Sequence, residues 1–309
     1  MPTKFYLDPA VQAFVDQSMG FKPAAPGLAA RRHAFLQACR HFTMARPAGL
    51  AQRDLCVNGM NMRLYAPALS PPRGGWPTLL YLHGGGWDLG NLDSHDWFAY
   101  RLSQRLDLAV VAVDYRLAPE HPYPAALDDT LSAWAALRDG VVHESLSNQR
   151  LAIGGDSAGG TLAAAACVAL RQRGLSQPRL QALVYPVLSA SDRFPSMRTH
   201  ANAPMLTAAG LANSIEGYLP LAATRHQATA MPLEADDYRG LAPALIALAE
   251  FDPLYDQGVT YADVLRQAGV PVQLWVGAGL VHGSLRGNGI DEVERCYDHI
   301  AAGLADAFA

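Results

Sequence analysis

Cysteine is scarce in this chain. Its four residues, Cys39, Cys56, Cys167 and Cys296, are scattered and show no C-x-x-C spacing. That pattern offers neither a zinc-ligand set nor a redox pair. Cys167 falls inside an apolar stretch and reads as a buried core thiol. Basic clusters are missing too: with a net charge of −4, the sequence carries no footprint for nucleic acid. Long hydrophobic runs are absent, and the most apolar, Leu162 to Leu170, is far too short to span a bilayer. Met1-Pro2-Thr3-Lys4-Phe5 opens with no apolar core or cleavage signature, so no secretory signal is expected and the expected location is the cytoplasm. No internal repeat or low-complexity tract stands out. Apolar residues, by contrast, make up 50% of the 309, enough for the core of a single α/β domain over 1–309 that includes a cap.

One short turn stands out against this background. Arg150-Leu151-Ala152-Ile153 predicts a buried strand, and Thr161 to Leu170, nearly all Ala, Leu, Val and Cys, predicts a buried helix. Between them lies Gly155-Asp156-Ser157-Ala158-Gly159, a serine with glycine two residues away on each side, which is the nucleophile-elbow pattern. Crowding explains the glycines, because a side chain at either would strike the adjacent strand or helix. The Ser157 hydroxyl is thereby lifted clear of the backbone, at the positive end of the helix dipole. A plain tight turn is the alternative, and the flanking strand and helix favour the elbow.

A serine alone is a poor nucleophile and needs partners. The strand-like run Thr78 to Leu82 ends in His83-Gly84-Gly85-Gly86-Trp87. Three successive glycines let the backbone bend back and present bare N–H groups to an oxyanion, jointly with the N–H of Ala158. A phosphate loop would want a following Gly-Lys-Ser/Thr, which is absent. For the base, the chain order serine, acid, histidine leaves His200, His226, His282 and His299. His299 lies among apolar residues at helical spacing and reads as a surface helix histidine. His200 and His226 precede the best acid. His282 follows the strand Val272 to Val276 and a glycine-rich loop, Gly277 to Val281, at the kind of strand end where α/β proteins collect function. For the acid, the strand Pro243 to Ala249 runs into Glu250-Phe251-Asp252-Pro253-Leu254-Tyr255-Asp256. Asp252 is the preferred orienter of His282, with Glu250 and Asp256 as alternatives.

With these residues in view, the chain resembles the hormone-sensitive-lipase family of α/β-hydrolases, in its GDSAG subgroup of microbial carboxylesterases. The resemblance rests on His83-Gly84-Gly85-Gly86-Trp87, Gly155-Asp156-Ser157-Ala158-Gly159-Gly160, Asp252-Pro253-Leu254 and His282. Asp114-Tyr115-Arg116-Leu117-Ala118-Pro119-Glu120-His121-Pro122-Tyr123-Pro124-Ala125 and Gly90-Asn91-Leu92-Asp93-Ser94-His95-Asp96 extend it, from about Leu7 to the C-terminal helix. It implies that Gly85, Gly86 and Ala158 donate to the oxyanion, and that neither metal nor organic cofactor takes part. It further implies short- to medium-chain esters as small-molecule substrates, and a monomer or, by preference, a homodimer. An amidase or peptidase with the same triad is the rival among enzymes. A ligand-binding receptor on the same fold, as in plant gibberellin receptors, is the rival outside them, but such receptors have lost the histidine that stands here as His282.

The pattern of elements is that of a mostly parallel sheet of eight strands with helices on both faces. Arg53 to Val57 and Met60 to Tyr65 form a hairpin about Asn58-Gly59. Strands then follow at Thr78–Leu82, Leu108–Asp114, Arg150–Ile153, Gln181–Val187, Pro243–Ala249 and Val272–Val276. Residues about 1–45 and about 190–235 break the alternation and are expected to cap the site. Asp93, His95 and Asp96 look like metal ligands, but a helix start capped by Asp93 or Ser94 accounts for them better. Arg116, Glu120 and His121 are expected to fix loop geometry. Trp87 and Tyr185 follow strands that end at the site and are candidates for its lining. Asp88 and Ser284 depart from the family pattern and are expected to make the pocket mouth roomier and more polar. Asp88 would there repel acidic esters, unless it turns away to solvent or to the loop backbone.

Overall fold

The computed structural model describes residues 5–309. Residues 1–4, the start of the segment expected to cap the site, lie outside the described residues. Helices α1 (Pro9–Gly20) and α2 (Leu28–Phe42) come first, followed by the hairpin β1 (Leu50–Val57) and β2 (Met60–Pro67). Its turn sits at Asn58 and Gly59, with φ of 52° and 81°, the left-handed pair that Asn-Gly favours. Alternation then sets in: β3 (Trp76–Leu82), α3 (Asp96–Ser103), β4 (Ala109–Val113), α4 (Ala125–Arg138), β5 (Leu146–Asp156), α5 (Ala158–Gln172) and β6 (Gln181–Val184). After α6 (Ser196–Thr199) and α7 (Ala208–Tyr218) come β7 (Ala244–Phe251), α8 (Tyr255–Gln267), β8 (Val272–Val281) and α9 (Asp291–Phe308).

The strands form one sheet in the order β1-β2-β4-β3-β5-β6-β7-β8. β2 runs antiparallel to both its neighbours, and every pairing from β4 to β8 is parallel. Successive side chains point to opposite faces, so β3 sends Leu80 and Leu82 into one core and Leu79 and Tyr81 into the other. The first core packs against α4, α5 and α8, and the second against α1, α3 and α9. α5 is buried from Ala158 through Leu170, which accounts for its apolar residues on every side.

Several boundaries differ from the expectation. Among them, β5 runs from Leu146 to Asp156 rather than from Arg150 to Ile153, and β1 starts at Leu50 rather than Arg53. β6 stops at Val184 because Tyr185 turns to a φ of 32°. Gly277 to Val281, read as a loop, continues β8; a register shift opposite Ala249 and Phe251 absorbs the irregularity. Neither Asp93 nor Ser94 caps α3 through its side chain. Instead a 3-10 turn covers Leu92–Ser94, and Ser94 Oγ accepts the Asn91 N–H at 2.9 Å.

Candidate active site

The parallel strands end together, and the residues just past β3, β5, β7 and β8 meet there. β5 delivers Ser157 with φ 53° and ψ −120°, a conformation side chains rarely adopt. Its N–H donates to Val184 O at 2.9 Å, and its carbonyl accepts the Thr161 N–H at 3.1 Å. The neighbouring backbones press close. A Cβ on Gly155 would lie 2.4 Å from Leu82 O, and one on Gly159 would lie 1.9 Å from the same atom. Only glycine allows strand, turn and helix to approach this closely.

His282, directly past β8, has Nε2 2.9 Å from Ser157 Oγ and Nδ1 2.7 Å from Asp252 Oδ2. Asp252, past β7, is fully buried, and its other oxygen accepts the Leu254 N–H at 2.9 Å. The alternatives are occupied elsewhere. Glu250 accepts the Gly279 N–H at 2.7 Å, and Asp256 accepts the Ser196 N–H at 2.6 Å. His200 packs against Phe5 and Phe251, His226 lies in the open 3.9 Å from Glu234, and His299 stacks on Trp275.

The glycine loop is tied to the elbow from beneath. Asp156 Oδ1 accepts the Gly84 N–H at 2.9 Å and the Tyr81 hydroxyl at 2.6 Å, with His95 Nε2 at 3.6 Å. Burial pushes the Asp156 carboxyl up, but His95 and these donors outweigh it and hold it below its ordinary range. His83 donates from Nδ1 to Gly84 O at 2.8 Å and stacks on Tyr115. Burial, reinforced by His95, drops its pKa to about 3, so its ring stays neutral. Above these anchors Gly85 and Gly86 adopt φ of 120° and 61°. Neither N–H donates to another group among the described residues. Ala158, at the first position of α5, likewise has an N–H that no helical carbonyl can reach.

A cavity of about 340 Å³ opens over Ser157, His282, Gly85 and Gly86. Phe35 and Ala38 of α2 form one wall, and Met205, Leu211 and Ser214 form another. Trp87 and Tyr185 both line it. Trp87 is fully buried and stacked on Tyr218, with centroids 4.4 Å apart, and the Tyr185 ring is 4.6 Å from His282. Asp88 also reaches the lining, but neither free nor turned away: Arg31 of α2 lies 3.0 Å from its carboxylate. Burial nonetheless raises its pKa, against the pull of Arg31 and Arg32. Ser284 contributes nothing polar to the mouth, since its hydroxyl is buried and accepts the Val281 N–H at 2.9 Å. Asp93 and Asp96 pair with Arg63, and Arg116 with Asp129. Glu120 takes two bonds from Arg32, each 2.7 Å. Sequence reasoning missed Arg31 and Arg286 in the lining. An arginine four residues past His282 was the available signal.

Comparison with known proteins fits this geometry. Residues 79–286 match the family model described as alpha/beta hydrolase fold. An ethyl acetate hydrolase of Pseudomonas putida is 41% identical over 259 residues, covering 80% of this chain and 81% of its own. Carboxylesterase NlhH of Mycobacterium tuberculosis is 36% identical over 287 residues, covering 90% and 88%. An ester hydrolase from the metagenome of Lake Arreo, solved with a bipyridine phosphonate derivative, superposes with a TM-score of 0.87 at 32% identity, covering 98% and 99%. On the strength of the matched family model and these relatives, the chain belongs to the α/β-hydrolase fold family, as a carboxylic ester hydrolase of the hormone-sensitive-lipase type.

Proposed function

We propose that this hydrolase cleaves short- to medium-chain carboxylic esters through an acyl-enzyme on Ser157. The observation that carries the reading is the unbroken chain of contacts from Ser157 Oγ through His282 to Asp252. His282 Nε2 takes the Ser157 proton as Oγ attacks the ester carbonyl, and Asp252 holds the imidazole with its other nitrogen protonated. The N–H groups of Gly85, Gly86 and Ala158 receive the oxyanion, and because the loop is already fixed by Asp156 they need no reorganisation. Protonated His282 then gives its proton to the departing alcohol. Water, deprotonated by the same imidazole, releases the acid. Such a cycle requires no metal or organic cofactor.

The helices α1 and α2 and the segment at about 190–235 serve as the cap, since all supply cavity walls. A cavity of about 340 Å³ suits acyl chains of roughly C2 to C8, each added methylene contributing about 0.8 kcal/mol only while it can be buried. Replacing Ser157 with alanine should lower kcat by several orders of magnitude without changing the thermal unfolding midpoint. A reactive organophosphonate should label Ser157 alone, and mass mapping of the adduct to another residue would overturn the assignment. An amidase with the same residues is separated by comparing p-nitrophenyl butyrate with its anilide. The receptor alternative fails if either turns over.

A further inference from the structure

Three arginines are buried among the described residues: Arg63, Arg101 and Arg286. Two have carboxylate partners. Arg63 meets Asp54, Asp93 and Asp96, and Arg101 meets Glu294. Arg286 has none within ion-pair distance among the described residues, although it is only 8% exposed and lines the catalytic cavity. Its guanidinium lies over the rings of both Phe14 and Phe35, 5.7 Å from each centroid. Among the described residues its one side-chain hydrogen-bond contact is Nη1 to Cys39 Sγ at 3.6 Å, and Nε is buried without a partner there.

No nearby group can supply the missing anion. Burial pushes the Cys39 thiol up to about 11, against the pull of Arg286, so the sulfur stays protonated at neutral pH. The Tyr185 hydroxyl is also pushed up by burial and remains neutral. The two carboxylates at the cavity are already engaged, Asp88 with Arg31 and Asp156 with Tyr81, Gly84 and His95. A permanently charged guanidinium without a counter-ion is costly to bury, and two aromatic faces offset only part of that cost. Its planar fork matches a carboxylate, which can accept from Nε and a terminal nitrogen together.

We propose that Arg286 is a specificity-determining residue that selects esters bearing a second, free carboxylate, the hemiesters of small dicarboxylic acids. The inference rests on the esterase reading of Ser157. It also reverses the expectation drawn from Asp88, because the uncompensated charge in the cavity is positive. Phe35 and the neighbouring Ala34 and Ala38 offer an apolar flank for the short spacer between the two carboxyl groups.

The test compares kcat/KM for monoethyl succinate with that for ethyl butyrate, close in length but different in charge. Wild type should favour the hemiester at least tenfold. In Arg286→Met that ratio should fall at least tenfold, mainly through the KM of the hemiester, and Arg286→Lys should recover part of it. Equal values in wild type, or a preference for the neutral ester, would overturn the proposal. If Arg286→Met does not fold, wild-type inhibition decides: glutarate should compete at least tenfold better than glutaramide, and parity would refute the assignment. Absence of turnover on ethyl butyrate would instead count against the esterase reading. Binding of monoethyl succinate to Ser157→Ala, measured by calorimetry, then still reports on Arg286.

Discussion

Gly159 and Gly217 carry the same residue type under opposite constraints. A Cβ on Gly159 would sit 1.9 Å from the backbone oxygen of Leu82, and neither β3 nor α5 can retreat without dragging the elbow along. Gly159→Ala should therefore cost at least 3 kcal/mol, roughly the upper end for overpacking, and should abolish esterase activity. Gly217, within α7, has open space where its Cβ would go. Gly217→Ala should stabilise the protein by about 0.5–1 kcal/mol through helix propensity alone. Urea unfolding of both variants checks the pair, and equal shifts would contradict the packing argument. The elbow glycines were legible in the sequence because their constraint is local, set by the strand and helix on either side. Asp88 was not legible as a paired side chain, because Arg31 lies on a helix that only tertiary structure brings alongside. Ser284 was misread for a different reason: a polar residue beside a site can spend its hydroxyl on the backbone.

At the scale of elements, parallel strands buried on both faces read as short apolar runs, and this is why β3 to β7 could be placed from sequence. β8 was cut short because Gly277 and Gly279 resemble loop punctuation, yet the pairing with β7 carries on past them to Val281. How α2 is fastened was invisible for want of any local signature. Arg32 does much of that fastening, donating from Nε to Asp88 O at 2.8 Å and from Nη2 to Ala118 O at 3.2 Å, besides its fork on Glu120. One side chain thus joins the helix to the glycine loop and to the proline-rich turn. Arg32→Ala should lose about 1–3 kcal/mol of stability and lower kcat/KM about tenfold as the loop loosens. Arg32→Lys should restore little, since one ammonium cannot reach three differently placed acceptors. Melting curves and ester kinetics on both variants decide the matter, and full activity in Arg32→Ala would rule out a role for α2 in holding the loop.

For the molecule as a whole, the groups beneath the loop set its response to acid. His83 is held to about 3 by burial and His95, against an ordinary 6.5. Across that interval the unfolded chain takes up a proton that the native state refuses, so stability falls as pH drops. Asp156, held below its ordinary 3.8, adds loss in the same direction at still lower pH. Denaturant midpoints should decline from pH 6.5 toward pH 4, with His83 contributing on the order of 1 kcal/mol per unit. His83→Gln, with no proton to gain, should flatten that slope even if it lowers stability at pH 7. An unchanged slope would mean that His83 is protonated in the native protein.

The segment just past His282 is clasped by α1 and α2, the two helices that precede β1. Arg286 lies over Phe14, a Cβ on Gly287 would come 3.1 Å from that ring, and Asn288 Nδ2 donates to Phe42 O at 3.0 Å. During synthesis α1 and α2 leave the ribosome well before the residues they grip. Until then the apolar face of α1, with Val11, Phe14 and Val15, has no resting place and must be shielded from other nascent chains. A polypeptide cut short before His282 can already hold the Ser157 elbow and the α2 wall, but it lacks the proposed base and the Arg286 side of the cavity. On the proposed mechanism, activity begins only once His282 and the loop after it have been made, and a product cut short before them is silent as well as sticky.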